Sequence, residues 1–196
     1  MATAQAALTP TTNTAPVVVS IPAKELSGVQ WVPRFPTSVD IADLIEPFRS
    51  NVNAFFGAIY AAGGATTISA TYRPAERAYL MHYAASLANG AIAAASIPPM
   101  AGVNIEWVHP TENLSVAAAA AMAAGYNIVH PPALVSNHTR RTAIDVTIRN
   151  IVGHTIIDAT AATVAISRLS DLNPVGASFG VIKLVGDPPH WSHDGH

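Results

Sequence analysis

Apolar positions along the chain change period from helical in the first half to short and β-branched in the second. Behind Ser38, which reads as a helix cap, Ile41, Leu44, Ile45, Phe48, Val52, Phe55, Phe56 and Ile59 recur at helical spacing. Pro47 lies inside that pattern and either kinks the helix or opens the first turn of its main part. Gly63-Gly64 ends it. Residues 65–72, ATTISATY, alternate and are β-branched, which predicts a strand. Pro74 suits the first turn of a second helix over 74–88, closed by Asn89-Gly90. Residues 91–104 read as a loop with a little helix, Ile105-Glu106-Trp107-Val108 as a strand, and Glu112 to Ala124 as an Ala-rich helix ended by Gly125. Residues 126–130, 142–149, 154–159 and 178–185 read as short strands with turns between them.

Upstream, Val17-Val18-Val19 and Ile21 stand among Pro16, Pro22, Pro33 and Pro36, which predicts extended chain with an edge strand over 17–36. Residues 1–16 are rich in Ala and Thr and read as a flexible leader. Helices early and strands late predict an α+β fold, with a leader over 1–25 and a single domain over 26–196. The stripe Phe48, Phe55, Phe56 and Tyr60 is helix-spaced and belongs to the core.

Composition narrows the function. Of 196 residues, 50% are hydrophobic, enough for a packed core, and only 11% are charged, well below the roughly 25% of an average soluble protein. A net charge of −2 gives no electrostatic basis for a nucleic-acid partner. The absence of cysteine excludes disulfides, thiolate zinc sites and a Cys nucleophile. No charged residue lies between Arg77 and Glu106, but His82, Asn89-Gly90, Pro98-Pro99 and an apolar content that is mostly Ala argue against a membrane span. The first charged residue is Lys24, so residues 1–23 lack the basic start of a secretory signal.

Three segments hold the candidate chemistry: Thr71-Tyr72-Arg73-Pro74, the run from Ser136 to Asp145, and the run from Asp187 to His193. A catalytic zinc site needs three protein ligands and one open position, and two His with one carboxylate satisfy that. His138 and Asp145 lie seven residues apart, too far to share a metal on one helix, but able to converge across a loop that enters the strand at 142–149. His190 would be the third ligand. Asp187, three residues earlier, is the natural general base, with Pro188-Pro189 fixing an extended backbone between them.

The order and wording of these segments resemble the zinc D-Ala-D-Ala peptidase family, which includes vancomycin-resistance dipeptidases, phage endolysin peptidases and the zinc-bearing Hedgehog signalling domain. Its Ser-x-His-x-x-Gly-x-Ala-x-Asp is matched at Ser136, His138, Ala143 and Asp145. Its later Glu-x-x-His with a neighbouring Trp is matched at His190-Trp191, and its early Ser-Gly-Tyr-Arg at Tyr72-Arg73. The resemblance spans residues 38–193, with the close matches confined to the motifs. Two positions depart from it. Arg141 stands where the family has Gly, and Asp187 where it has Glu.

The resemblance implies helices packed on a small antiparallel sheet that carries a zinc site. It implies that His138, Asp145 and His190 bind Zn²⁺. Asp187 would move the proton between water and leaving amine, and Arg73 would bind the scissile carbonyl oxygen or a substrate carboxylate. Ser136, Tyr72, Trp191 and His193 are expected at the substrate. The expected substrate is the peptidoglycan stem peptide of the bacterial cell wall. A cell-wall peptidase without a signal must leave the cytoplasm by lysis or a dedicated secretion machine, as a phage lysin or an antibacterial effector does; an effector would add an immunity protein and a carrier as partners. The alternative is a zinc-containing module that binds peptidoglycan or protein without turnover, which the two departures motivate. A third, weaker reading is a structural piece of a phage or secretion system.

Overall fold

A computed structural model describes residues 23–128 and 132–196. Residues 1–22 of the expected leader, with the apolar run 17–21, lie outside them, as does His130; Glu25, at the leader's expected end, is described and lies in a strand.

The first long helix, α1, runs Phe48–Ala61. Phe48, Val52, Phe55, Phe56 and Ile59 are its buried residues, at the spacing that puts them on one face. The helix is shorter than the apolar pattern suggests. Pro47 stands at its N-cap, and the residues before it form a separate 3₁₀ turn, Ile41–Asp43, capped by Asp40, whose side chain accepts from the Ala42 N–H. Ser38 is not the cap; its hydroxyl accepts from the Asp40 N–H at 3.0 Å.

Strand β1 (Glu25–Leu26) pairs in parallel with β3 (Ile105–Glu106). Strand β2 (Ala65–Ala70) pairs antiparallel with β4 (Ala143–Arg149), which pairs with β8 (His190–Ser192), which pairs with β7 (Ile182–Lys183). The resulting four-stranded sheet has the order β2-β4-β8-β7. A separate hairpin joins β5 (Thr155–Ile157) to β6 (Thr163–Ala165). Helix α2 (Ala75–Ala88) follows Pro74, and α3 (Glu112–Gly125) is capped by the Thr111 hydroxyl, which accepts from the Leu114 N–H. A short helix α4 covers Leu172–Ser178.

Two hydrophobic clusters result. In the first, α1 packs on the sheet: Phe48, Val52, Phe55, Phe56 and Ile59 meet Ile144, Val146, Ile148 and Trp191. Each such side chain, fully buried, contributes about 1.5–3 kcal/mol from transfer alone. In the second, α2 and α3 pack on each other and on Trp31, Ile105 and Trp107. Of the helices expected on the sheet, α1 packs there, while α2 and α3 build their own core.

The second half departs most from the sequence reading. Residues 178–185 are the end of α4, a turn and β7 rather than one strand. Tyr126 caps α3, Asn127 is in a turn, and neither is in a strand. Among the described residues no helix is long and apolar enough to cross a membrane; α2 ends at Ala88, inside the uncharged stretch.

Candidate metal centre

Alternation along β4 sorts its side chains. Ile144, Val146 and Ile148 enter the core, which leaves Asp145 on the other face. Register then supplies its neighbour. Asp145 stands opposite His190 across β4–β8, and Ile144 stands opposite Trp191. Directly opposed residues on one face have Cβ atoms about 4.5–5.5 Å apart, so the pairing alone brings His190 to Asp145.

His138 arrives from the turn before β4. Thr139 Oγ1 donates to the Ser136 carbonyl at 2.8 Å, the Arg141 N–H to the His138 carbonyl at 3.2 Å, and the Thr142 N–H to the Asn137 carbonyl at 2.9 Å. This turn needs a positive φ at Arg141, which adopts +64°. The position where an arginine departs from the family's glycine thus still takes the glycine-like conformation. Its guanidinium lies 4.3 Å over the Tyr72 ring. From the opposite side the Arg73 N–H donates to the His138 carbonyl at 3.2 Å, tying the segment between β2 and α2 to the same turn.

Three donor atoms converge as a result. His138 Nε2 lies 3.1 Å from Asp145 Oδ1, His190 Nδ1 lies 3.1 Å from the same oxygen, and the two ring nitrogens are 3.2 Å apart. The outer ring nitrogens have partners that fix the tautomers. His138 Nδ1 sits 3.1 Å from the Thr71 carbonyl and His190 Nε2 3.1 Å from the His196 carbonyl. A carbonyl only accepts, so both outer nitrogens carry the N–H, and in the neutral rings both inner nitrogens present lone pairs. Two lone pairs and a carboxylate oxygen thus point at one spot, with both imidazoles buried (4% and 7% exposed). Three acceptors held this close repel one another unless a cation lies between them.

The triangle also has the right size. Around a tetrahedral ion with ligand bonds of about 2.0–2.1 Å, ligand atoms stand about 3.3–3.4 Å apart, against the 3.1–3.2 Å found here. His138, Asp145 and His190 form a candidate zinc-binding group. A proton on an inner nitrogen lets that ring donate to Asp145 in place of a cation. Burial works to raise the Asp145 pKa, but hydrogen bonds and charge from His138 and His190 outweigh it and hold the carboxyl well below the carboxylate range. Burial works to lower the His190 pKa, and Asp145 outweighs it, so the imidazole is pushed above its ordinary value.

One side of the group opens into a pocket of about 490 Å³, lined among others by Arg73, Ser136, Arg140, Leu184 and Asp187. Arg73 Nε is buried and has no hydrogen-bond partner among the described residues. Burial pushes the Arg73 pKa down; Asp145 and Asp187 oppose that, and Arg77 adds to it. An orphaned charged donor beside a metal group is poised for an anionic oxygen.

The structure places the other sequence candidates elsewhere. Trp191, expected at the substrate, is only 4% exposed. Alternation along β8 sends it to the face opposite His190, where its ring lies 5.3 Å from that of Phe55. Its open edge lines a different pocket, of about 710 Å³. Tyr72 does not line the metal pocket; its ring supports Arg141. His193 is exposed and 3.6 Å from Asp194, and does not line the pocket either. His109 bonds Ser27 Oγ, and His82 Nδ1 bonds the Pro132 carbonyl.

The sequence reading also missed residues that serve the site. Residues 192–196 are tied down behind the site. Ser192 is fully buried, Asn137 Nδ2 donates to Asp194 Oδ1 and to the His196 carbonyl at 2.7 Å each, and the His196 N–H donates to Ser192 Oγ at 3.1 Å. That tie supplies the acceptor behind His190. The available signal was Asn137 itself, a side chain with two donors between two candidate site residues.

No protein-family model and no curated protein matches the chain. Among solved structures it is similar to a mutant of the vancomycin resistance D,D-pentapeptidase VanY from a VanB-type resistance cassette, in complex with Zn(II). The identity is 14%, the match covers 86% of this chain and 85% of that one, and the TM-score is 0.36. Similarity of that degree leaves the chemistry to be read from the chain's own side chains.

Proposed function

We propose that the protein is a zinc-dependent peptidase that hydrolyses a peptide bond of the bacterial peptidoglycan stem peptide. The observation that carries the metal is the convergence of His138 Nε2, Asp145 Oδ1 and His190 Nδ1, two lone pairs and a carboxylate, on one buried point. Two nitrogens and one oxygen with an open side suit catalytic zinc. The stem peptide as substrate rests on the motif resemblance at Tyr72-Arg73, Ser136 to Asp145 and His190-Trp191.

Zinc bound there would supply Lewis acidity, which brings a water towards ionisation at neutral pH. Asp187, on the pocket wall, accepts the proton of the attacking water and returns it to the leaving amine. Arg73 donates to the carbonyl oxygen as it becomes an oxyanion, which meets the otherwise unpartnered Nε–H. Ser136, on the same wall, is placed to bond the substrate backbone. An aspartate at 187 reaches less far than a glutamate, which bears on rate rather than on the kind of reaction.

Mass spectrometry of purified sacculi after incubation with the protein tests the reading. New stem-peptide fragments that disappear with chelator, and with Asp187→Ala, are expected. A zinc-loaded, folded protein that releases none overturns the peptidase reading in favour of a binding module.

A further inference from the structure

The loop between β7 and β8 is short of hydrogen-bond donors. Pro188 and Pro189 have no N–H, yet the carbonyls of Leu184, Asp187 and His190 turn towards a single point. Lys183 fills that point. Its Nζ lies 2.5 Å from the Leu184 carbonyl, 2.5 Å from that of Asp187 and 3.0 Å from that of His190. An ammonium has three N–H groups, and here each has a carbonyl.

The side chain comes from behind the site. Lys183 pairs with Trp191 across β7–β8, so it leaves the sheet on the core side, with Nζ 5.7 Å from the indole centre. It does not line the metal pocket. The loop it holds carries Asp187 and leads into β8 at His190.

We propose that Lys183 is a positioning residue: its ammonium locks the 184–190 loop from behind and thereby sets Asp187 against the metal group and Arg73. The role of Asp187 rests on the proposed peptidase function; the lock itself does not. His190 has further anchors, its ladder partner Asp145 and the His196 carbonyl. Among the described residues the Asp187 backbone has only bonds within the loop, from its N–H to Leu184 and from the His190 N–H, besides Lys183; the loop's tie to β4, from the Val146 N–H to the Pro189 carbonyl at 2.9 Å, lies on the His190 side. Loss of the ammonium therefore displaces Asp187 more than the metal ligands.

The absence of any other cysteine makes the test clean. Lys183→Cys introduces a single thiol. Alkylation in denaturant with 2-bromoethylamine, followed by refolding, restores an ammonium at lysine's reach; iodoacetamide restores similar bulk without charge. The readouts are zinc stoichiometry, amide hydrogen exchange at Asp187 and His190, and turnover on sacculi. Lys183→Cys should still bind one zinc, exchange at least about 10-fold faster at these amides, and lose about 100-fold in kcat with little change in KM. The aminoethyl protein should recover both exchange protection and turnover, and the carbamidomethyl protein neither. If Lys183→Cys does not fold, refolding of the aminoethyl chain alone is the same result. Unchanged exchange in Lys183→Cys, or equal recovery with the neutral adduct, overturns the proposal. Should the unsubstituted protein cleave nothing, the peptidase reading falls, and the exchange measurements still decide the lock.

Discussion

Arg141 shows how a single backbone angle underlies the site. At φ +64° it lets the turn close so that His138 faces Asp145, and its carbonyl accepts from the Ile45 N–H at 3.1 Å. An L-residue with a side chain is disfavoured there by about 1–2 kcal/mol. The guanidinium over Tyr72 offsets part of this, with about 0.5–1 kcal/mol typical of an exposed cation–π contact. Two substitutions separate the terms. Arg141→Ala keeps the strain and loses the contact, so it should destabilise by about 0.5–1 kcal/mol. Arg141→Gly loses the contact and the strain together, so it should lie within about 0.5 kcal/mol of the unsubstituted protein. Urea denaturation midpoints check the order; an alanine variant more stable than the glycine variant contradicts it.

At the scale of elements, β8 and α4 decide the geometry. Strand β8 places His190 opposite Asp145 and sends Trp191 into the core. Helix α4 packs over that tryptophan at Gly176, where an added Cβ would meet Trp191 Cζ3 at 2.5 Å and the Val181 carbonyl at 2.7 Å. Neither the wedged indole nor the backbone can yield cheaply, so Gly176→Ala should destabilise by about 1–3 kcal/mol. Thermal unfolding of that variant measures it, and an unchanged midpoint contradicts the packing account.

These same two elements were the hardest to see in the sequence. Strand β8 spans His190–Ser192, too short to show alternation, and follows two prolines. Helix α4 contains Pro174 and Gly176, which read locally as breakers. Packing on Trp191 overrides that propensity. By contrast, α1, β2, α2 and α3 were legible because period and end signals agreed: Pro74 before α2 and Thr111 before α3 are local cues. The three metal-site residues were legible as residue types in an order. Their convergence was not, since it depends on the β4–β8 register, and neither was the opposite facing of His190 and Trp191.

At the scale of the molecule, the segment Thr71-Tyr72-Arg73 carries the chain from β2, in the sheet that the first core covers, to α2 of the second core. The second core depends on a buried phenol. Tyr126 Oη donates to the Trp31 carbonyl at 3.2 Å, and burial, partly opposed by Arg77, pushes its pKa up to about 12. A raised pKa means that its stabilising contribution is complete below the unfolded value of about 10 and is lost as pH rises towards about 12. Stability measured across that window should therefore fall, and Tyr126→Phe should flatten part of the fall while losing about 1 kcal/mol at neutral pH with the hydrogen bond. An equally steep alkaline fall in Tyr126→Phe would rule out this origin.

The central claim is that two imidazole lone pairs and one carboxylate are built to hold a zinc ion. It is tested most directly by the zinc content of the purified protein after loading and removal of free metal, compared with His138→Ala and His190→Ala. The account predicts one equivalent per chain in the unsubstituted protein and a loss of at least most of it in each variant, with both variants folded. Full zinc retention in either variant, or none in the unsubstituted protein, would contradict it.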